Sequence, residues 1–186
     1  MILWILLAAA VILVLWLIGT FNSLVSLKNE TLNGWKQIDV QLKRRHDLIP
    51  NLIETVKGVM NFEQKTLTAV IEARNKAISA QSVPEKAGAE NMLTGALRQL
   101  FALVENYPTL KSNENASKLQ EELVSTENRI GFARQFYNDI ATKFNIAQET
   151  FPSNIVAGMF GFSKQELFTI TDDAERQVPK VDLNLK

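Results

Sequence analysis

The chain has no cysteine, one histidine, no excess of either charge and no run of residues that matches a nucleotide or nucleophile motif. Without cysteine there is no disulfide, no thiolate nucleophile, no Cys-based zinc or iron–sulfur site and no lipid-modified cysteine, although the redox compartment stays open. The single histidine, His46, supplies neither a His-x-x-x-His pair nor the two Glu-x-x-His motifs that build di-iron centres in helical bundles. A metal site would rest on carboxylates alone, and Glu54 and Glu63 read as outer-face helix residues instead. Lys and Arg number 20 against 20 Asp and Glu, so no global field draws the chain to nucleic acid, and no nucleic-acid partner is expected. Gly-x-Ser-x-Gly, Gly-x-x-x-x-Gly-Lys-Ser/Thr and dinucleotide fingerprints are missing, and Gly158 and Gly161 in "AGMFGF" lack a strand–turn–helix setting. The acid pairs Glu121-Glu122 and Asp172-Asp173 are neighbours in sequence and point apart if helical. A histidine kinase would need a nucleotide-binding domain for which 186 residues leave no room. The chain therefore reads as non-enzymatic, with no catalytic residue and no cofactor.

What is present begins with an apolar N-terminus. Ile2 to Ile18 is unbroken by any polar residue and the first charge is Lys28; about 20 apolar residues cross a ~30 Å hydrocarbon core. Gly19, Thr20 and Phe21 complete a span over residues 1–21, with Ile2, Trp4, Leu7, Val11, Leu15 and Ile18 meeting membrane lipid. A cleaved signal peptide is the alternative, but the basic n-region and a small-x-small site are absent. Only the terminal amine precedes the span, whereas Lys28, Lys36, Lys43, Arg44 and Arg45 follow it. That bias favours an outside N-terminus and a cytoplasmic body.

Within a bundle domain over residues 22–150, Leu24 to about Pro108 and Asn115 to Gln148 read as helical, with apolar side chains every three or four positions, few breakers and a loop from Thr109 to Asn115. The cleanest seam is Leu119, Leu123, Thr126, Ile130, Ala133, Tyr137, Ile140 and Phe144, opposed by an outer face of Glu121, Glu122, Arg129, Arg134 and Lys143. Thr31, Trp35, Ile38, Leu42, Arg45, Ile49, Leu52, Val56 and Val59 keep the same spacing after the span, which implies one long rod leaving the membrane. Further helices are expected over Thr66 to Ala80, with Leu67, Val70, Ile71, Arg74 and Ile78 on one side, and from Pro84 to Pro108, burying Leu93, Leu97, Leu100, Val104 and Tyr107. Ser112, Asn113 or Asn115 can cap the final helix. Short connections between long helices predict an all-α architecture: a transmembrane helix continuing into an elongated antiparallel bundle of about four helices. Residues 151–186 read as an extended apolar tail with one short helical turn at most. Its Phe151, Ile155, Val156, Met159, Phe160 and Phe162 either fold back onto their own bundle or dock on a neighbouring subunit or the membrane surface.

"KRRHDLIP", Lys43 to Pro50, concentrates the unusual chemistry. Pro50 removes an amide donor and disfavours helix at Ile49, predicting a kink or short break near residues 46–50, with Asp47 capping the helix that follows. In an unbroken helix Lys43 stands roughly 37 Å beyond Ile18, too far for lipid head groups. Arg45 lies on the apolar seam and is expected to meet an acid across the bundle, Glu127, Asp139 or Glu149, and so to set helix register. Arg45, His46, Asp47 and Pro50 thus form a hinge or register device.

The stretches "LNGWKQIDVQLKRR", "RRHDLIPNLIETVKGV" and "FPSNIVAGMFGF", with the apolar start, resemble the LemA family of bacterial membrane proteins over nearly the whole chain. The resemblance implies a single-pass protein of the bacterial inner membrane with an antiparallel helical bundle and no established enzymatic activity. The family often carries tyrosine where this chain has His46, which keeps an aromatic role there without requiring a histidine. Two functions are compatible with these residues. One is a self-assembling homo-oligomeric scaffold that organises or remodels the membrane through its rod, its seams and the tail residues Phe151, Ile155, Met159, Phe160 and Phe162. The other is a small-oligomer adaptor that presents its bundle to a membrane-protein partner, such as a protease or stress-response component.

Overall fold

The computed structural model of the chain describes residues 1–58 and 64–169. Val59, Glu63, the pair Asp172-Asp173 and the end of the 151–186 tail lie outside the described residues. Six helices and no strand occur among the described residues: α1 (Ile2–Lys57), α2 (Gln64–Ser79), α3 (Val83–Val104), α4 (Pro108–Lys111), α5 (Glu114–Glu149) and α6 (Ser153–Met159). The four long helices form the bundle. α1 pairs chiefly with α5, a partner distant in the chain, whereas α2 pairs with its sequence neighbour α3 through a short connection.

α1 runs 56 residues through the expected boundary between span and bundle without a break. At 1.5 Å per residue that is about 84 Å. Its first 18 residues are exposed apart from the half-buried Leu17. Little of the apolar surface of this segment is covered by a neighbour, and its length and composition make it a candidate membrane span.

Beyond the span, α1 and α5 lie antiparallel with three apolar layers between them. Nearest the apolar N-terminal segment Leu24 meets Phe144, Val156 and Ala157. In the middle Ile38 and Leu42 meet Ile130, Ala133, Tyr137, Ala141 and Phe168, with Ala87 at the edge. The distal layer joins Ile49, Leu52, Val56, Leu67, Val70, Leu93, Leu97, Leu100 and Leu123. Each large side chain fully buried here contributes about 1.5–3 kcal/mol. The two long helices approach closely at Gly34, where a Cβ would come within 3.3 Å of the Tyr137 Cα.

Helix ends follow local chemistry. The Asn113 side chain accepts from the Asn115 and Ala116 amides at 3.0 and 3.2 Å, making it the cap of α5 among the three candidates. Ser82 and Glu85 form a reciprocal capping box at the start of α3. The Ser82 and Gln81 amides hold the Glu85 carboxyl below the ordinary range. α2 differs from expectation: Ile71 and Ile78 are exposed, and Leu67, Val70, Ala73 and Ala77 form the buried face. The small alanines let α3 approach closely, so the packing stripe follows size rather than hydropathy.

Candidate functional site

The proline in "KRRHDLIP" does not end the helix. Pro50 lies inside α1, and Asp47, exposed in mid-helix, caps nothing; this corrects the expected break. In a regular helix the amide of residue 50 would donate to the carbonyl of residue 46, and proline has no such amide. That carbonyl instead accepts from the Arg74 Nε of α2 at 2.8 Å. A tertiary donor thus replaces the missing helical one, and α2 is tied to α1 at the proline.

One residue earlier, Arg45 is completely buried, 0% exposed. Its guanidinium donates to Glu90 of α3 and to Glu127 of α5, and also to Thr94 Oγ1 at 3.0 Å. His46 Nε2 stands 2.8 Å from the second Glu90 oxygen. Arg134, expected on the outer face of α5, is buried and lies 3.7 Å from Glu127. Burial raises the Glu90 carboxyl pKa, but the His46 hydrogen bond and the charges of Arg45 and His46 outweigh it and leave it below the ordinary range. Of the acids considered for Arg45, Glu127 meets it, whereas Glu149 pairs with Lys164. Glu90 was missed, although it extends the Leu93, Leu97, Leu100, Val104 seam backward by one three-residue step and is the lone acid on it. The cluster joins α1, α3 and α5 by hydrogen bonds that exist in only one sliding position. Both of its acids are bound to arginine, an arrangement that ties the three helices to one another. Lys43 and Arg44 point outward, with Arg44 3.5 Å from Glu122. Among the described residues no group of three His, Asp or Glu side chains could hold a metal ion.

The tail divides into two parts. "FPSNIVAGMFGF" contains the seven-residue helix α6, longer than the one short helical turn expected of residues 151–186. Val156 and Ala157 are buried against α1 and α5, and Phe162 packs between Phe21 and Phe144 with Lys28 Nζ 5.9 Å from its ring. Phe151, Ile155, Met159 and Phe160 stay exposed. Beyond α6 an extended strap returns along α5. Asn145 donates to the Gln165 carbonyl and accepts from the Gln165 amide at 2.9 and 2.8 Å, and Asn138 does the same with Phe168 at 3.0 and 2.8 Å. Seven helical residues rise about 10.5 Å and three extended residues about 10 Å, so two asparagines seven apart match two strap residues three apart. Tyr137 adds a 2.6 Å bond to the Glu166 carbonyl, and burial together with the Glu166 charge pushes its phenol pKa up. Phe168 closes the middle layer between Trp35 and the Arg134 guanidinium.

The model of the LemA family matches residues 34–183, which include the ion cluster, α6 and the strap. Protein LemA of Metamycoplasma hominis is 28% identical over 171 residues, covering 90% of this chain and 74% of that protein. Magnetosome protein MamQ 2 of Paramagnetospirillum magneticum is 25% identical over 178 residues, 82% of this chain, and magnetosome protein MamQ of Magnetospirillum gryphiswaldense is 24% identical. The chain spans 65% of each of these magnetosome proteins, just under two thirds. None of these names states a reaction.

Proposed function

The chain belongs to the LemA family, and on that footing we propose that this membrane-associated helical protein is a non-enzymatic scaffold. Copies assemble side by side on the bacterial cell membrane, with the N-terminus outside and the bundle in the cytoplasm, and organise or remodel that membrane. The observation that carries the reading is the continuity of α1: one helix is both the apolar N-terminal segment and the spine of the bundle. With no linker, the orientation of the bundle is transmitted to the span, so that packing of bundles imposes geometry on lipid. A protein that merely tethers a binding module has no need of such rigidity.

Two features support assembly with a second copy. Phe132 is 73% exposed and Phe136, one turn further along α5, is also exposed, although both lie outside the buried seam. The formal net charge is zero, so like copies do not repel through net charge. An adaptor role is favoured by a different observation, an open groove of about 570 Å³ at the distal end of the bundle, lined by Val104, Leu110, Ala116, Gln120 and Val124.

Mass photometry and electron microscopy of the full-length protein in mild detergent separate the two. Large regular particles that disperse when Phe132 and Phe136 are both replaced by serine support the scaffold. A wild-type species of one or two copies overturns it and moves the search to a partner for the distal groove.

A further inference from the structure

The span and the tail meet at one level of the molecule. Counting about 1.5 Å per residue, a ~30 Å hydrocarbon core that begins at Ile2 ends near Phe21. α5 runs antiparallel to α1, with Leu24 against Phe144, so its C-terminal end comes down to the last turns of the apolar segment. Ala147 and Ser153 share a recess with Trp16, Gly19 and Thr20. The Phe160 ring lies 4.6 Å from that of Phe21.

At this level α6 turns only one side inward. Val156 and Ala157 are buried, whereas Ile155 and Met159, four residues apart and hence on one face, point away from them. Phe151, Ile155, Met159 and Phe160 are each more than half exposed. Four large apolar side chains within ten residues form a patch that a water-facing surface rarely carries. The patch is continuous with the uncovered apolar surface of the Ile2–Phe21 segment, whose solvent is lipid.

We infer that α6 is an interfacial foot: Phe151, Ile155, Met159 and Phe160 enter the boundary between head groups and acyl chains of the membrane that α1 spans. The occupant of this face is lipid rather than a second copy, because the depth of α6 is set by its packing on the end of the span. An amphipathic helix lying in the interface buries its apolar face about 5–10 Å into this layer. Lys28 stands beside Phe162, so a cationic group lies next to the foot. The foot gives the rod a second point of contact with the membrane and fixes its tilt as well as its depth, which a single span cannot do. The inference rests on the reading of residues 2–21 as the membrane span.

The absence of native cysteine makes single labels simple to place. Leu7→Cys, Lys111→Cys, Ile155→Cys and Met159→Cys, each in the full chain, would carry a nitrobenzoxadiazole probe in vesicles of phosphatidylcholine and phosphatidylglycerol. Emission is read with nitroxide-labelled lipid and with aqueous iodide. The foot predicts that the labels at 155 and 159 lose emission to shallow lipid nitroxide and are shielded from iodide, that the label at 7 loses it to deep nitroxide, and that the label at 111 responds to iodide alone. Quenching at 7 with iodide-accessible labels at 155 and 159 overturns the foot and leaves the span standing. Shielding from iodide without lipid quenching at 155 and 159 also overturns it, since a second copy then covers the face. No lipid quenching at 7 removes the span, and the foot with it.

Discussion

Replacing Arg74 by methionine in the wild-type chain and in a Pro50→Ala chain tests whether a tertiary hydrogen bond substitutes for the one proline removes. In the wild type the His46 carbonyl accepts from Arg74 Nε at 2.8 Å, and residue 50 has no amide to offer instead. A hydrogen bond from a charged donor contributes about 1.5–3 kcal/mol, and the partial exposure of Arg74 places the expected loss near the lower end. In the Pro50→Ala background the alanine amide reaches the same carbonyl along the helix, so losing Arg74 should cost less than about 1 kcal/mol. The coupling between the two positions is then more than about 0.5 kcal/mol. Pro50→Ala alone should stabilise, because proline in a helix interior is about 3 kcal/mol less favourable than alanine, offset by about 0.4–1 kcal/mol from the freer unfolded chain. Denaturant titration of the four full-length variants in detergent, followed by far-UV circular dichroism, gives the cycle. Equal losses in both backgrounds, within about 0.5 kcal/mol, would refute the substitution.

Arg45→Met strands the fully buried Glu90 and should cost about 3–5 kcal/mol, whereas Glu127→Gln, at a partly exposed carboxylate, should cost about 1 kcal/mol or less; the same titration ranks them, and the reverse order would sink the assignment. The Glu90 carboxyl is lowered in the fold, so its contribution to stability is whole above the unfolded value of about 4.3 and is lost as pH falls through the folded value. Acid unfolding of the wild type should include this step, and Glu90→Gln should lack it, as melting temperatures across that range will show. Gly34→Val meets the Tyr137 backbone and the Phe136 ring and should cost about 1–3 kcal/mol by pushing α1 from α5; a neutral effect in thermal melts would mean that the helices are not so close.

Much of the fold was legible because a helix packed along its whole length advertises its seam. In α5 every residue from Leu123 to Phe144 on the predicted stripe is buried, since only one face of a long straight helix can meet its partner. α2 was legible as a helix and not as a face: Ile71 and Ile78 are the stronger hydrophobes, yet Ala73 and Ala77 permit the close approach of α3. Arg45 stood out because a cation interrupts an apolar stripe. Glu90 gives the mirror signal from α3, but nothing in the spacing pairs one with the other across 45 residues. Asn138 and Asn145 look like ordinary polar positions on α5, and only the returning strap gives their spacing a meaning.

The sequence by itself determined that the chain is helical, that it carries an apolar segment long enough to span a bilayer, and which stripe of its longest helices is buried. These properties depend on residues a few positions apart, and helical geometry converts them directly into faces. The tertiary structure decided what happens at Pro50, which acid holds Arg45 and where the tail lies. Each of these depends on groups far apart in the chain. At Pro50 the helix continues with its freed carbonyl bonded by Arg74 from another helix, and the apolar tail stands beside the end of the N-terminal apolar segment because α5 has the length to bring it there.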